Sequence, residues 1–220
     1  MHRFVWDLRY SPAKGGRASF RRPSGVLALP GNYTVQLTAH GKNTTQPLTI
    51  KLDPRVKTTH EELTRQFELA SKLSAREGEV SLALQQATEL RRQIEARRKE
   101  ASASSDAVKA LEELNQKLEA MVRPEGDGGF GLFGLALPAK GPETLPKVAS
   151  ALNGLMTIVE SADAAPTEDA ETASAKWDQA AEETLAQWAN FQNKELASTN
   201  TLLQKANLKR VTTTEISGVH

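Results

Sequence analysis

Apolar residues recur at steps of three and four between positions 63 and 94, and this periodicity constrains the fold more than any other feature of the sequence. Such steps place side chains on one face of an α-helix. The pattern predicts one long helix that begins after Thr58 or Thr59, either of which can cap it, and ends near Glu100. Gly78 is a weak point at which this helix could bend. The apolar face comprises Leu63, Phe67, Ala70, Leu73, Val80, Leu84, Ala87 and Ile94.

Three further helices are predicted downstream, separated by breaks rich in Ser, Pro and Gly. Ser104 or Ser105 is the candidate cap of a second, short helix that closes at 123–124. A third, also short, starts near Leu145, and a fourth, long helix spans about 168–206. Their apolar positions are Val108, Leu111, Leu114, Leu118 and Met121, then Val148, Leu152, Leu155 and Val159, then Trp177, Ala181, Leu185, Trp188, Leu196, Leu202 and Leu203.

Short connections favour antiparallel packing of neighbouring helices. We therefore predict an antiparallel four-helix bundle over residues 57–208, with two long and two short helices in up-down-up-down order. The Gly-rich segment 125–142 is predicted as a loop within this bundle. Residues 209–220 are polar and are predicted to form a flexible tail.

The first 56 residues carry strand patterns instead of helical ones. Phe4–Leu8 and Gly25–Leu29 are short apolar runs, and 33–38 alternates clearly with a period of two. His40–Asn43 indicates a hairpin turn, with a returning strand over 44–52. Three or four strands are fewer than the roughly seven of an immunoglobulin-like sandwich. Residues 1–56 are therefore predicted to be a partial Ig-like antiparallel β module, and the whole chain to be α+β, mainly α.

The predicted sheet has an apolar face formed by Tyr33, Val35 and Leu37. Water cannot satisfy such a face, so we expect the long helices, the Gly-rich loop or a second chain to cover it. Phe130 and Phe133 are the candidate interaction residues of that loop. The alternatives are cover from within the chain and a homodimer formed through the β module, whose strand edges are open to pairing.

The sequence offers no recognisable catalytic, cofactor or metal site, and we expect no enzyme and no cofactor. It contains no cysteine, no phosphate loop and no nucleophile elbow. Trp177 and Trp188 are spaced by three helical turns, which favours core packing over a platform that stacks sugars or bases. Its four histidines lack partners at metal-ligand spacing; they are His2, His40, His60 and His220.

The formal net charge is +1, so overall charge does not indicate a partner. A basic cluster lies at Arg91, Arg92, Arg97, Arg98 and Lys99. A run of this kind is typical of a solvated helix face, although it also admits a salt-dependent nucleic-acid contact. We expect no nucleic-acid partner, and the sequence has no transmembrane segment.

Three stretches of the chain carry a family resemblance: 4–10 (FVWDLRY), 29–37 (LPGNYTVQL) and 46–56 (QPLTIKLDPRV). The segment 161–167 (SADAAPT) adds to it. The chain resembles the C-terminal region of bacterial sortilin-like, BNR-repeat β-propeller proteins, which are often labelled glycosyl hydrolases. In that family an Ig-like segment follows the propeller, and a helical tail ends the chain.

The resemblance implies a bacterial protein exported to the periplasm or beyond, with the missing strands of the Ig-like segment upstream. It favours a non-catalytic accessory or interaction module that binds a protein partner or an upstream propeller domain. The alternative is a fragment of a glycosyl hydrolase-like enzyme whose active site lies in the upstream domain. No catalytic residue of that family can be placed on this sequence.

Overall fold

The computed structural model describes residues 3–13, 15, 25–101, 105–123 and 143–213. Within them the chain is mainly helical, with one small two-stranded antiparallel sheet. This confirms the predicted α+β, mainly α class. The predicted Gly-rich loop, with Phe130 and Phe133, lies outside the described residues.

The first helix, α1, spans His60–Glu100 without interruption. Thr59 caps it: its hydroxyl accepts from the Glu62 backbone N–H at 3.2 Å, while the Glu62 carboxylate accepts from the Thr59 N–H at 2.8 Å. This reciprocal capping box satisfies two backbone donors that the helix itself leaves unpaired. At 1.5 Å per residue, α1 is about 60 Å long, so it spans the whole bundle.

The second helix, α2, spans Ser105–Val122 and packs against the C-terminal half of α1. Arg98 contacts Glu112 at 3.3 Å, and Arg91 contacts Glu119 at 2.9 Å. From the first contact to the second, the residue number falls on α1 and rises on α2. The two helices are therefore antiparallel, as predicted.

The third helix, α3, spans Leu145–Val159 and continues the path of α2. Its start lies beside the end of α2, where the Thr144 hydroxyl donates to the Arg123 carbonyl at 3.2 Å. Its far end lies at the start of α1, where the Gln66 amide donates to the Val159 carbonyl at 2.6 Å. Helix α3 thus runs in the same direction as α2, and the two stand in series against α1.

The fourth helix, α4, spans Glu168–Asn190 and runs parallel to α1. Arg65 of α1 contacts Glu171 at 2.6 Å, and Arg76, three turns further along, contacts Asp178 at 2.8 Å. The predicted up-down-up-down order is therefore wrong, because it requires α3 parallel and α4 antiparallel to α1. The described helices stand in three columns: α1, the α2–α3 series, and α4 with its continuation.

That continuation is a π-helical turn, Phe191–Leu196, followed by α5, Ala197–Lys205. The extra residue of a π turn rotates the apolar face. Phe191 is buried there and stacks on Trp188 with ring centroids 5.5 Å apart. Core packing of Trp188 is confirmed, whereas Leu202, which was assigned to the core, is 38 % exposed.

The core runs along all three columns. The side chains that are buried almost completely are Val80, Leu90, Ile94, Leu111, Leu114, Leu118, Leu145, Val148, Leu152, Leu203 and Val211. Leu84, which was placed on the apolar face of α1, is only partly buried at the margin of this core.

Val211 belongs to the segment predicted as a flexible tail, yet it is fully buried. The Asn200 side chain accepts from its N–H and donates to its carbonyl, both at 2.8 Å. The Gln93 side chain makes the same pair of bonds to the Thr212 backbone, at 2.9 and 3.0 Å. The side-chain amides of Asn200 and Gln93 thus bond to the backbone of 211–212 as a neighbouring strand would. The predicted flexible tail is therefore wrong for 209–213. Residues 214–220 lie outside the described part.

The sheet is a hairpin of β1, Gly31–Ala39, and β2, Lys42–Ile50. Its turn residues His40 and Gly41 both have positive φ, 49° and 75°, as the tightest hairpin turn requires. The predicted strands at 4–8 and 25–29 do not form in the described residues. Near them, a single antiparallel bridge joins Arg9 to Leu27.

Candidate interaction site

Several contacts fasten the β module to the bundle, including those of Gly15 with Gln85 and of Tyr10 with Phe67. A further one is the carboxylate of Glu160 at the end of α3. It accepts from the Arg9 guanidinium at 2.6 Å and from the Leu27 backbone N–H at 2.8 Å. Arg9 also donates to the Gly25 carbonyl at 2.8 Å. The Glu160 side chain is 9 % exposed, so both of its oxygens have partners in place of water. A buried carboxylate with a charged partner and a backbone donor fixes the position of the segments around residues 9 and 27.

A cavity of about 170 Å³ lies beside this contact, between the module and the N-terminal half of α1. Gln66 and Glu160 at its margin already bond to backbone or to Arg9. The cavity therefore presents mainly apolar surface, and the packing between module and bundle is incomplete. Its apolar walls include Val26, Ala28, Leu52, Leu63, Phe67 and Ala70.

The three predicted interaction residues of β1 lie on one face of the hairpin, as expected. Tyr33 is half-buried at the base: its hydroxyl donates to the Leu29 carbonyl at 2.7 Å, and its ring meets Trp6 edge-on at 5.8 Å. Burial raises the pKa of the Tyr33 phenol. Val35 and Leu37, nearer the tip, are 51 % and 65 % exposed.

The hairpin register completes this apolar face. Leu48 pairs with Tyr33, and Ile50 pairs with Gly31, so both lie on the side of Val35. The opposite face is polar: Thr38 bonds to Asn43, and Thr49 bonds to Asn32. No described helix covers Val35 and Leu37, and the Gly-rich loop, the other expected cover within the chain, lies outside the described residues.

Sequence reasoning missed a second exposed apolar group, in residues 4–10. Phe4 is 90 % and Val5 69 % exposed, and Leu8 and Tyr10 are also exposed. The alternation at 4–8 predicts a strand, which does not form among the described residues. In the described part of the chain, Phe4–Leu8 has no neighbouring strand with which to pair.

The two outer edges of the hairpin differ. The tight turn closes on the hydrogen-bonded pair Ala39–Lys42, and bonded and non-bonded pairs then alternate along the register. The even-numbered residues of β1 therefore point their N–H and C=O groups outward. On β2 the outward positions are the odd-numbered ones, and Pro47 among them has no N–H to offer.

The four arginines of the basic cluster of α1 are paired with glutamates of α1 and α2. Each of these arginines lies within 3.1 Å of a glutamate oxygen. Bonds from Arg92 and Gln93 hold the pKa of Glu89 at about 2, so this glutamate stays charged at neutral pH. A phosphate would have to displace these carboxylates. The pairs are Arg91–Glu119, Arg92–Glu89, Arg97–Glu100 and Arg98–Glu95.

No group of three or more metal-ligating side chains occurs among the described residues. None of the helices described is both long and apolar enough to cross a membrane. The exposed apolar surface of the β module is the described feature for which a function is proposed below.

The chain matches no family model, and comparisons with curated proteins and with solved structures give no significant match.

Proposed function

We propose that this chain is a non-catalytic interaction module, in which the helical bundle is a rigid support and the β module docks a protein partner. One observation carries the proposal. Among the described residues, seven of the nine exposed large apolar side chains belong to the β module: Phe4, Val5, Leu8, Tyr10, Leu27, Val35 and Leu37. An exposed apolar group of this kind marks an interaction surface more often than an isolated exposed residue does.

The partner supplies strands. The hairpin is the paired part of an incomplete Ig-like sheet, and backbone pairing with an added strand gives such a sheet both hydrogen bonds and cover. The family resemblance supports this proposal, because it implies that further strands precede the module in a larger, exported β-propeller protein. Any hydrolase activity would then belong to the preceding domain.

Site-specific photo-crosslinking in the native cell tests the proposal. A photoreactive residue at Val35 probes the β module, and one at Leu202, exposed to a similar degree on α5, is the matched control. We expect one discrete protein adduct from Val35 and none from Leu202. No adduct at Val35, or the same adducts at both positions, would show that the β module is not a docking surface.

A further inference from the structure

We propose that the outer edge of β1 is a strand-docking site whose occupant is a second copy of this chain, paired edge to edge in antiparallel orientation. The proposal rests on the proposed function, since it names the partner of the β module. A preceding domain or another protein is the alternative that the test distinguishes.

The outer edge of β1 offers an uninterrupted row of backbone N–H and C=O groups for pairing. The backbones of Asn32, Thr34, Gln36 and Thr38 point outward, and none of them bonds to another described segment. Regular pairing extends over all nine residues of β1, so no bulge turns the edge away. The edge of β2, by contrast, lacks a donor at Pro47, which is one of the devices that protect natural edges.

The strand is complementary to itself. A two-fold axis through Val35, perpendicular to the sheet, places Thr34 of one copy opposite Gln36 of the other, and Asn32 opposite Thr38. Every outward N–H and C=O of these four residues then finds a partner. No other centre pairs all four, because the outward positions are symmetric only about residue 35.

The side chains support the same register. Val35 faces Val35 of the other copy, and Tyr33 faces Leu37, all on the apolar side. Pairs of β-branched residues, and of an aromatic with an aliphatic residue, stabilise adjacent strands. The polar side chains meet on the opposite face. The two-fold axis therefore places the apolar faces of both copies on one side of the joined sheet and the polar faces on the other.

Charge does not oppose the contact. The β1 segment Gly31–Ala39 contains no charged residue, whereas natural edges are commonly guarded by lysine. The bundle is attached at the base of each hairpin, near Leu29 and Ile50. Antiparallel pairing therefore places the two bundles at opposite ends of a four-stranded sheet.

The test is sedimentation equilibrium of the full chain over a range of concentrations. We expect the mean mass to rise from 23.9 kDa towards twice that value. Gln36 and Thr45 are cross-strand partners whose N–H groups point to opposite edges. Gln36→Pro blocks the β1 edge, and Thr45→Pro, the matched control, blocks the β2 edge at the same rung without removing a ladder bond. We expect Gln36→Pro alone to raise the dimer dissociation constant, by at least about tenfold.

A pair of charge variants tests the register without proline. In the proposed register Thr34→Lys/Gln36→Lys places like charges opposite each other in both rungs, and we expect a monomer. Thr34→Lys/Gln36→Glu places opposite charges there, and we expect the dimer to persist. Circular dichroism of each variant verifies that the fold is retained.

A wild-type chain that stays at 23.9 kDa at every concentration would overturn the proposal, as would a dimer that is insensitive to Gln36→Pro. The crosslink at Val35 separates this failure from that of the proposed function. A monomer that crosslinks to another protein through Val35 loses the second copy but keeps the docking surface. An adduct of twice the chain mass supports both.

Discussion

The bundle and the β module differ in how far their apolar side chains are buried. Among the described residues, the large side chains that are almost completely buried all lie between Val80 and Val211, whereas most of the exposed large apolar ones lie before residue 40. Among the described residues of the module, Val26 and Ala28 are the only buried residues with an apolar side chain. Burial of apolar area is the main source of folding free energy. Most of the folding free energy therefore comes from the bundle, and the module is left with exposed apolar surface.

The largest expected effect separates the two regions directly. Leu90→Ala removes a side chain that is fully buried in α1 and should cost about 2–5 kcal/mol of unfolding free energy, as the cavity remains partly open. Leu37→Ala in β1, the same chemical change at an exposed position, should cost no more than about 0.5 kcal/mol. Urea unfolding measures both, and equal costs would contradict the contrast.

A smaller effect is expected where the two regions meet. Glu160→Ala leaves the Arg9 guanidinium without this carboxylate and the Leu27 N–H without its acceptor. We expect the free energy of local opening around Leu27 to fall by about 1.5–3 kcal/mol. Amide exchange should show the loss around Leu27, with the bundle protected as before. Glu182→Ala, at an exposed position of α4, is the control. A loss of protection throughout α1 would mean that the junction also holds the bundle together.

The hydrogen bonds from the Asn200 side chain to the Val211 backbone should contribute less to the unfolding free energy. Asn200→Ala removes both bonds to the Val211 backbone, and we expect a cost on the order of 1 kcal/mol. Gln204→Ala, at an exposed site one turn later on α5, should cost almost nothing. Urea unfolding of the two variants checks the prediction, which fails if both lose the same stability.

The smallest effect concerns pH. Hydrogen bonds from Lys72 and Arg76 hold the pKa of Asp178 below its ordinary value of 3.8. A carboxyl with a lowered folded-state pKa stabilises the fold above its unfolded-state pKa, and that stability is lost as pH falls through the folded-state pKa. Unfolding free energy should therefore decrease below about pH 4. Asp178→Asn should make this decrease shallower, and an unchanged pH profile would exclude a role for the ion pair between α1 and α4.

Local features of the bundle could be predicted from the sequence, because neighbouring residues determine them. A threonine cap at 58 or 59, the length of α1 and the apolar face of α3 follow from periodicity and capping chemistry alone. The order of the columns could not be predicted, since it depends on the path between α2 and α3, which short-connection rules do not describe. The π turn and the hydrogen bonds from Asn200 to the Val211 backbone depend on contacts between residues distant in sequence.

The candidate site was predictable in part. A period of two places Tyr33, Val35 and Leu37 on one face, and the register confirms it. Their exposure could not be derived, because it depends on whether any other element reaches that face. The same uncertainty explains the incorrect strand at 4–8, since a strand requires a neighbour that a sequence pattern does not specify.

Amide exchange of the intact chain, at a concentration where it is monomeric, tests the central contrast most directly. We expect the amides around Leu90 to exchange with the free energy of global unfolding, and those of Val35 and Leu37 to exchange through a local opening of much lower free energy. The outward amides of Thr34 and Gln36 should show no protection until a partner binds. Exchange of hairpin and helix with one common free energy would contradict the division between a stable support and an uncovered docking surface.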